Sequence, residues 1–281
     1  WQSFNAEMSV NAVSVTSTSD SPGIEDRLEG SDDSAANIKG LPKIRALIGG
    51  TDAMREAKAT YLPRMEGETA EAYSSRLALS FLFNATRKTV RDMSGRVFDT
   101  PIKLNEDVPK QIEEWADNID LAGRSLNVFA KDVFEDTLAA GISFILVGAP
   151  PRSPDTSKAA ARALNLRPYM VHITSENLLG WKAKPGSPTE LGQVRVMEYV
   201  KVDVDEFTEE TVEQIRVLDA TPSGVSVRLY RQNKKREFVL FDGPFQIGVD
   251  RICLAPVYGN RTGWMQGEPL LDDLADVNVA H

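Results

Sequence analysis

The spacing of apolar residues changes character near residue 185, and that change limits the fold more than any motif does. Upstream, apolar residues recur at helical spacing. Tyr73, Leu77 and Phe81 fall four apart, and Val90, Met93 and Val97 continue at three and four. Downstream, Val225, Val227 and Leu229 alternate with Ser226, Arg228 and Tyr230, the pattern of a strand with one solvated face. Runs at 193–204, 212–218, 225–231 and 237–241 read as four strands. Turn signals at Thr221-Pro222-Ser223-Gly224 and Gln232-Asn233-Lys234-Lys235 separate them. The expected fold class is therefore α+β: a mixed helical region with short strands, followed by a small antiparallel β module.

The longest patterned stretch is 61–101. Thr69 is a plausible N-cap, and Gly95 and Pro101 are the expected stop signals. Asn84 reads either as a break between two helices or as a polar position within one. Further on, Ile112 and Trp115 mark a short helix over 109–118. Ser125 should cap a helix carrying Leu126, Phe129, Val133 and Leu138 and closed by Gly141. The apolar run 142–147 follows as a buried strand. Other expected elements are a helix capped by Thr51-Asp52, a short Ala-rich helix over 156–164 and a strand at 169–173. Residues 177–184 read as extended around Trp181, and 254–258 likewise.

Four segments result. Residues 1–34 are polar, rich in Ser, Thr and Asp, and expected to be flexible. Residues 35–184 form the α-rich region and 185–250 the β-rich module. Residues 251–281 hold an extended loop and a final helix from Pro269. That helix carries an apolar stripe of Leu270, Leu274 and Val277, a candidate oligomer interface. The stripe still runs at His281, which reads as the start of a longer helix. Met8 reads as a natural start, with residues 1–7 as an added extension.

Composition narrows the chemistry. A net charge of −9 argues against gripping a nucleic-acid backbone with the whole surface, though not against a ring through which it slides. The two histidines, His172 and His281, and the single Cys253 make a histidine-based triad or a zinc site improbable. His172 reads as structural and Cys253 as a buried small hydrophobe. Gly49-Gly50-Thr51-Asp52 lacks the lysine and spacing of a phosphate loop. The run 142–147 is far too short to span a bilayer. Asp272, Asp273 and Asp276 could hold magnesium, but acidic residues opening a helix are also what its macrodipole favours. Lys234, Lys235 and Arg236 fall at a hairpin turn and form a candidate docking hairpin. No catalytic residue, cofactor or metal ligand is assigned.

Several separated blocks resemble one bacteriophage family, a phage domain of unknown function similar to portal proteins. The blocks are Tyr61-Leu62-Pro63-Arg64, Glu68 with Ala72-Tyr73 and Arg76-Leu77, 84–89, and Gly95-Arg96-Val97-Phe98 with Pro101. They continue with 121–126, Phe129-Ala130, 141–147, Arg167-Pro168-Tyr169, 176–181, 256–261, 269–275 and 278–281. Their order and spacing carry the resemblance, which covers about residues 40–281. The family has an apolar residue where Arg96 stands and a basic pair where Asp99-Thr100 stand.

The resemblance implies a portal architecture. The α-rich region would be the wing, the β module the clip, and the final helix would lead toward the stem. It implies a non-enzyme forming a ring of about a dozen copies at a capsid vertex of the virion, assembled in the host cytoplasm. Double-stranded DNA would pass through the ring without sequence-specific contact. Terminase and head–tail connectors would dock on it, beside capsid and scaffold proteins. The alternative is another head–tail adaptor or capsid component. A third reading is a metal-dependent hydrolase built on Asp272, Asp273 and Asp276. The arginines of 61–101, Arg76, Arg87, Arg91 and Arg96 among them, read as inter-element or inter-subunit salt-bridge partners, with few facing a channel.

Overall fold

The computed structural model describes residues 28, 30–150, 159–160 and 164–280. Its helices are α1 (Asp32–Asn37), α2 (Leu41–Gly49), α3 (Thr51–Ala57), α4 (Ala70–Leu79), α5 (Ala85–Val97), α6 (Lys110–Ala116), α7 (Leu126–Ala140) and α8 (Asp272–Ala280). Its strands are β1 (Ile142–Gly148), β2 (Tyr169–Ile173), β3 (Leu178–Lys184), β4 (Ser187–Asp203), β5 (Glu209–Thr221), β6 (Gly224–Gln232), β7 (Phe238–Ile247), β8 (Leu254–Tyr258), β9 (Arg261–Gly263) and β10 (Gln266–Gly267). Among the described residues no helix is long and apolar enough to cross a membrane. The fold is α+β, as the change of spacing predicts.

The pivot is the unit of α7 and β1. Ser125 accepts a hydrogen bond from the Val128 N–H and opens α7. Gly141 ends it in the left-handed conformation at φ 78°. β1 then runs antiparallel between β2 and β8. Successive side chains of a strand point to opposite faces, and β1 uses both. Ile142, Phe144 and Leu146 join one core with Ile173, Leu178, Val194, Val196, Val225 and Val227. Ile145 faces the other way and packs with Phe129 and Val133 of α7. Ser143 also turns to α7, where its hydroxyl meets that of Thr137 at 2.6 Å.

Three layers follow. Helices cover one face of the three-stranded sheet β2-β1-β8, and the five-stranded meander β3-β4-β5-β6-β7 covers the other. Within the helical layer, Leu41, Ile44 and Leu47 of α2 pack with Ala139 and Ala140 of α7 and Ala275 of α8. Full burial of a side chain such as Leu41 or Ile44 contributes about 1.5–3 kcal/mol.

Several expectations need correction. The β module has five strands, not four, and begins at Leu178, so its sheet and its core cross the boundary placed at 185. β3 lacks clear alternation because its pairing with β4 shifts register between Leu178 and Gly180, so that Leu178 and Trp181, three apart, both pack into the inner core. The stretch 61–101 is two helices, with Asn84 as the N-cap of the second. Phe81 lies outside both. Gly95 sits inside α5, which continues to Val97. Helix α8 begins at Asp272, not Pro269. Cys253 is half-exposed, because Ile252 and Leu254 on either side take the inward positions. Ser31 caps α1, so the end of the expected flexible segment is helical, and Leu28 is buried on the outer face of the five-stranded sheet. Residues 1–27 and 29 of that segment, and most of the helix expected at 156–164, lie outside the described residues.

Candidate assembly surfaces

Helix α8 divides the expected stripe. Leu271, Ala275 and Asn278 face inward, and Leu274 packs on Val90, Leu138 and Leu271. Leu274 therefore belongs to the chain's own core. Leu270 and Val277 stay exposed. The acidic residues of this helix divide too. The Lys43 ammonium of α2 sits 2.9 Å from Asp272 and also pairs with Asp276. Burial lowers the Lys43 pKa, but hydrogen bonds to Asp276 and Asp272 outweigh it, and the net shift is upward. Asp273 is exposed. Among the described residues no group of three or more His, Cys, Asp or Glu is placed to hold a metal.

Lys234, Lys235 and Arg236 occupy the β6–β7 turn and are exposed. Asn233 builds that turn. Its Oδ1 accepts from the backbone N–H of Lys235 at 2.7 Å and of Glu237 at 3.1 Å, and its Nδ2 donates to Glu237 at 2.8 Å.

The sequence reading missed the strap between α4 and α5. Leu79, Phe81 and Phe83 are 81%, 84% and 78% exposed. Leu82, between the two phenylalanines, packs into the α2–α7–α8 core. The strap is held along its length. Arg55 donates twice to the Ser80 carbonyl, at 3.1 and 2.6 Å. Thr51 accepts from the Leu82 N–H at 3.2 Å, and Asn278 donates to the Phe83 carbonyl at 2.8 Å. Each outward side chain forgoes about 1.5–3 kcal/mol of burial. A fixed backbone thus turns three large apolar groups to solvent.

Helix α5 continues from the strap. Thr86, Val90 and Ser94 face inward. Lys88 pairs with Asp92 at 2.7 Å. Arg87 turns in and donates to the Ile48 carbonyl, and Arg76 of α4 pairs with Glu68 at 2.8 Å. Arg91 and Arg96 are exposed and have no salt-bridge partner among the described residues. Within the chain, then, Arg76 and Lys88 are ion-paired, and among the described residues Arg87, Arg91 and Arg96 have no ion-pair partner of their own chain.

A second projecting feature is the β4–β5 ribbon. β3 stops pairing with β4 at Val196, and β6 begins pairing with β5 at Gln214. From Tyr199↔Glu213 to Asp203↔Glu209, among the described residues, the main chains of the two strands pair only with each other. This arm reaches about 15 Å beyond the sheet at the usual rise per residue. Residues 203–211 are all exposed, and Phe207 at the tip is 90% exposed. The Phe207 N–H donates to Asp205 at 2.8 Å and shapes the turn. That bond, helped by the Thr208 hydroxyl, holds the Asp205 carboxyl below the usual carboxylate range.

His172 is a structural joint. Its Nε2 lies 3.1 Å from Asp136 of α7, whose other oxygen pairs with Arg45 of α2. Arg45 continues to Glu176 at 2.6 Å. Burial lowers the Arg45 pKa, but these carboxylates outweigh it and raise it. The nearby Ser143 hydroxyl is directed to Thr137 and the Val133 carbonyl instead. The network ties α2, α7 and β2 together. No protein-family model matches the chain, and no curated protein matches it.

Proposed function

We propose that the chain is a portal-type structural protein, a non-enzyme that assembles into a ring at a capsid vertex. In this reading DNA is packaged and ejected through the ring, and terminase and head–tail connectors dock on it. The strap is the observation that carries it: three large apolar side chains held outward on a backbone fixed by hydrogen bonds from Arg55 and Asn278 and to Thr51. A chain that works alone gains nothing from that arrangement, whereas an assembling one buries it.

The blocks that resemble the phage family fall on structural joints, which adds support. Glu68 and Arg76 pair across the approach to α4, Asn84 caps α5, and Gly141 packs against the Glu268 carbonyl. The helical layer and three-stranded sheet would be the wing, the meander the clip, and α8 would lead toward the stem. A hydrolase reading is less favoured, because magnesium at Asp272 and Asp276 would have to displace Lys43.

The test is negative-stain microscopy with mass measurement on the purified chain. Rings with a central hole are expected. Monomers at every concentration would count against the reading, as would closed dimers.

A further inference from the structure

Among the described residues, two strongly exposed apolar features carry opposite charge. The arm, residues 199–213, holds Asp203, Asp205, Glu206, Glu209, Glu210 and Glu213 against Lys201 alone. Its net charge is −5, more than half of the −9 of the whole chain. At its tip Phe207 and Val204 are exposed. The strap with α5, residues 79–97, holds Arg87, Lys88, Arg91 and Arg96 against Asp92 alone, a net charge of +3. It presents Leu79, Phe81 and Phe83.

Within one copy these features are apart. The strap belongs to the helical layer and the arm to the outer five-stranded sheet, with the three-stranded sheet between. Among the described residues the outer part of the arm covers nothing in its own chain, since residues 203–211 are all exposed. An isolated two-stranded ribbon is only marginally stable. A partner surface gives it a reason to hold its shape.

We propose that the arm of one copy docks on the strap and α5 of a second copy. Phe207 and Val204 lie among Leu79, Phe81 and Phe83, and the arm's carboxylates face Arg91, Arg96 and Lys88. The contact uses two different patches, so it is heterologous: each docked pair keeps one free arm and one free strap, and growth continues until a ring closes. The inference deepens the ring reading and rests on it for self-association, but names a contact that the ring alone does not require. Opposite charges steer the encounter and fix its polarity, and the apolar groups hold it. Salt weakens it, because charges at an exposed rim are screened.

Two variants test this. One cripples the arm: Glu206→Lys, Phe207→Ser and Glu210→Lys. The other cripples the strap: Phe81→Ser, Arg91→Glu and Arg96→Glu. All six positions are exposed, so thermal melts of the two variants should match that of the dissociated wild-type chain. The wild-type chain is expected to self-associate, and each variant alone should be monomeric. Placing like charges opposite one another costs several kcal/mol, so each variant loses at least about 100-fold in affinity. Mixed, they should pair through the intact arm of one and the intact strap of the other; the two altered patches attract by charge but lack Phe207 and Phe81, so species larger than the dimer form more weakly than in the wild type.

A wild-type chain that forms rings while both variants still form them overturns the docking and leaves the ring reading intact. A wild-type chain that stays monomeric overturns both. Failure of the mixed variants to pair overturns the docking. So does loss of DNA binding in the strap variant with assembly unchanged, which would make α5 a nucleic-acid surface.

Discussion

Asn278 near the end of α8 accepts two hydrogen bonds from Thr86 in the first turn of α5, from its backbone N–H and its hydroxyl, both at 3.0 Å. The first N–H groups of a helix have no partner within it, so Asn278 supplies from outside what local sequence does not. Its amide donates in turn to the Phe83 carbonyl at 2.8 Å. One buried side chain thus caps α5 and anchors the strap. Asn278→Ala should destabilise the chain by about 2–4 kcal/mol, because buried groups lose their partners. A urea midpoint that falls with an unchanged slope would show this. Hydrogen exchange over 80–84 should quicken beyond the global effect, and an unchanged midpoint would rule the anchor out.

Two glycines predict opposite outcomes. Gly141 has φ 78°, and a Cβ there would lie 1.8 Å from the Glu268 carbonyl oxygen. Gly141→Ala therefore meets both backbone strain and a clash with main chain, and should cost at least about 3 kcal/mol. Gly95 lies inside α5 with nothing within 4 Å of its would-be Cβ. Gly95→Ala should stabilise by about 0.5–1 kcal/mol. Thermal melts of the two variants should shift in opposite directions.

The parts of the fold legible in the sequence are those fixed by neighbours in the chain. Ser125, the apolar positions of α7, Gly141 and β1 form a sequence of local signals, and the structure follows it. The strap was illegible because Tyr73, Leu77 and Phe81 imitate one helical face. The chain leaves the helix at Ser80, where ψ is 145°, without glycine or proline to announce it. What holds it out is Thr51, Arg55 and Asn278, all distant in sequence. Leu274 illustrates the same limit. Its apolar character was visible, but only the packing of α8 on α5 and α7 decides that it turns inward while Val277 turns out.

Acid should weaken the approach to α4. Glu68 accepts from Arg76 at 2.8 and 2.9 Å and from the Met65 N–H at 3.0 Å. The Arg76 hydrogen bond, with the Met65 N–H next, lowers its pKa from 4.5 to about 2. A carboxylate depressed in the folded state contributes stability that is present above its unfolded pKa and lost as pH falls through the folded one. The advantage of the wild-type chain over Glu68→Gln should therefore be constant above about pH 4.5 and shrink toward pH 2. Denaturant titrations at several pH values read it. A difference that grows on acidification would contradict the pairing.

The Asp136 joint should behave as a coupled unit rather than a set of independent contacts. Asp136 is buried, with one oxygen on Arg45 and the other 3.1 Å from His172. Asp136→Ala leaves both partners without it. Removing one partner of a fully buried pair costs about 3–5 kcal/mol. Here the loss should be smaller, about 1–3 kcal/mol, because Arg45 keeps Glu176 and part of its side chain meets solvent. Asp136→Leu with Arg45→Met replaces the pair by apolar groups and should recover much of the loss. A double-mutant cycle between the two positions should give a coupling of about 0.5–3 kcal/mol. Simple additivity would mean that the joint is a coincidence of packing, and α2 would then be held to α7 by the apolar packing of Leu41, Ile44 and Leu47 on Ala139 and Ala140.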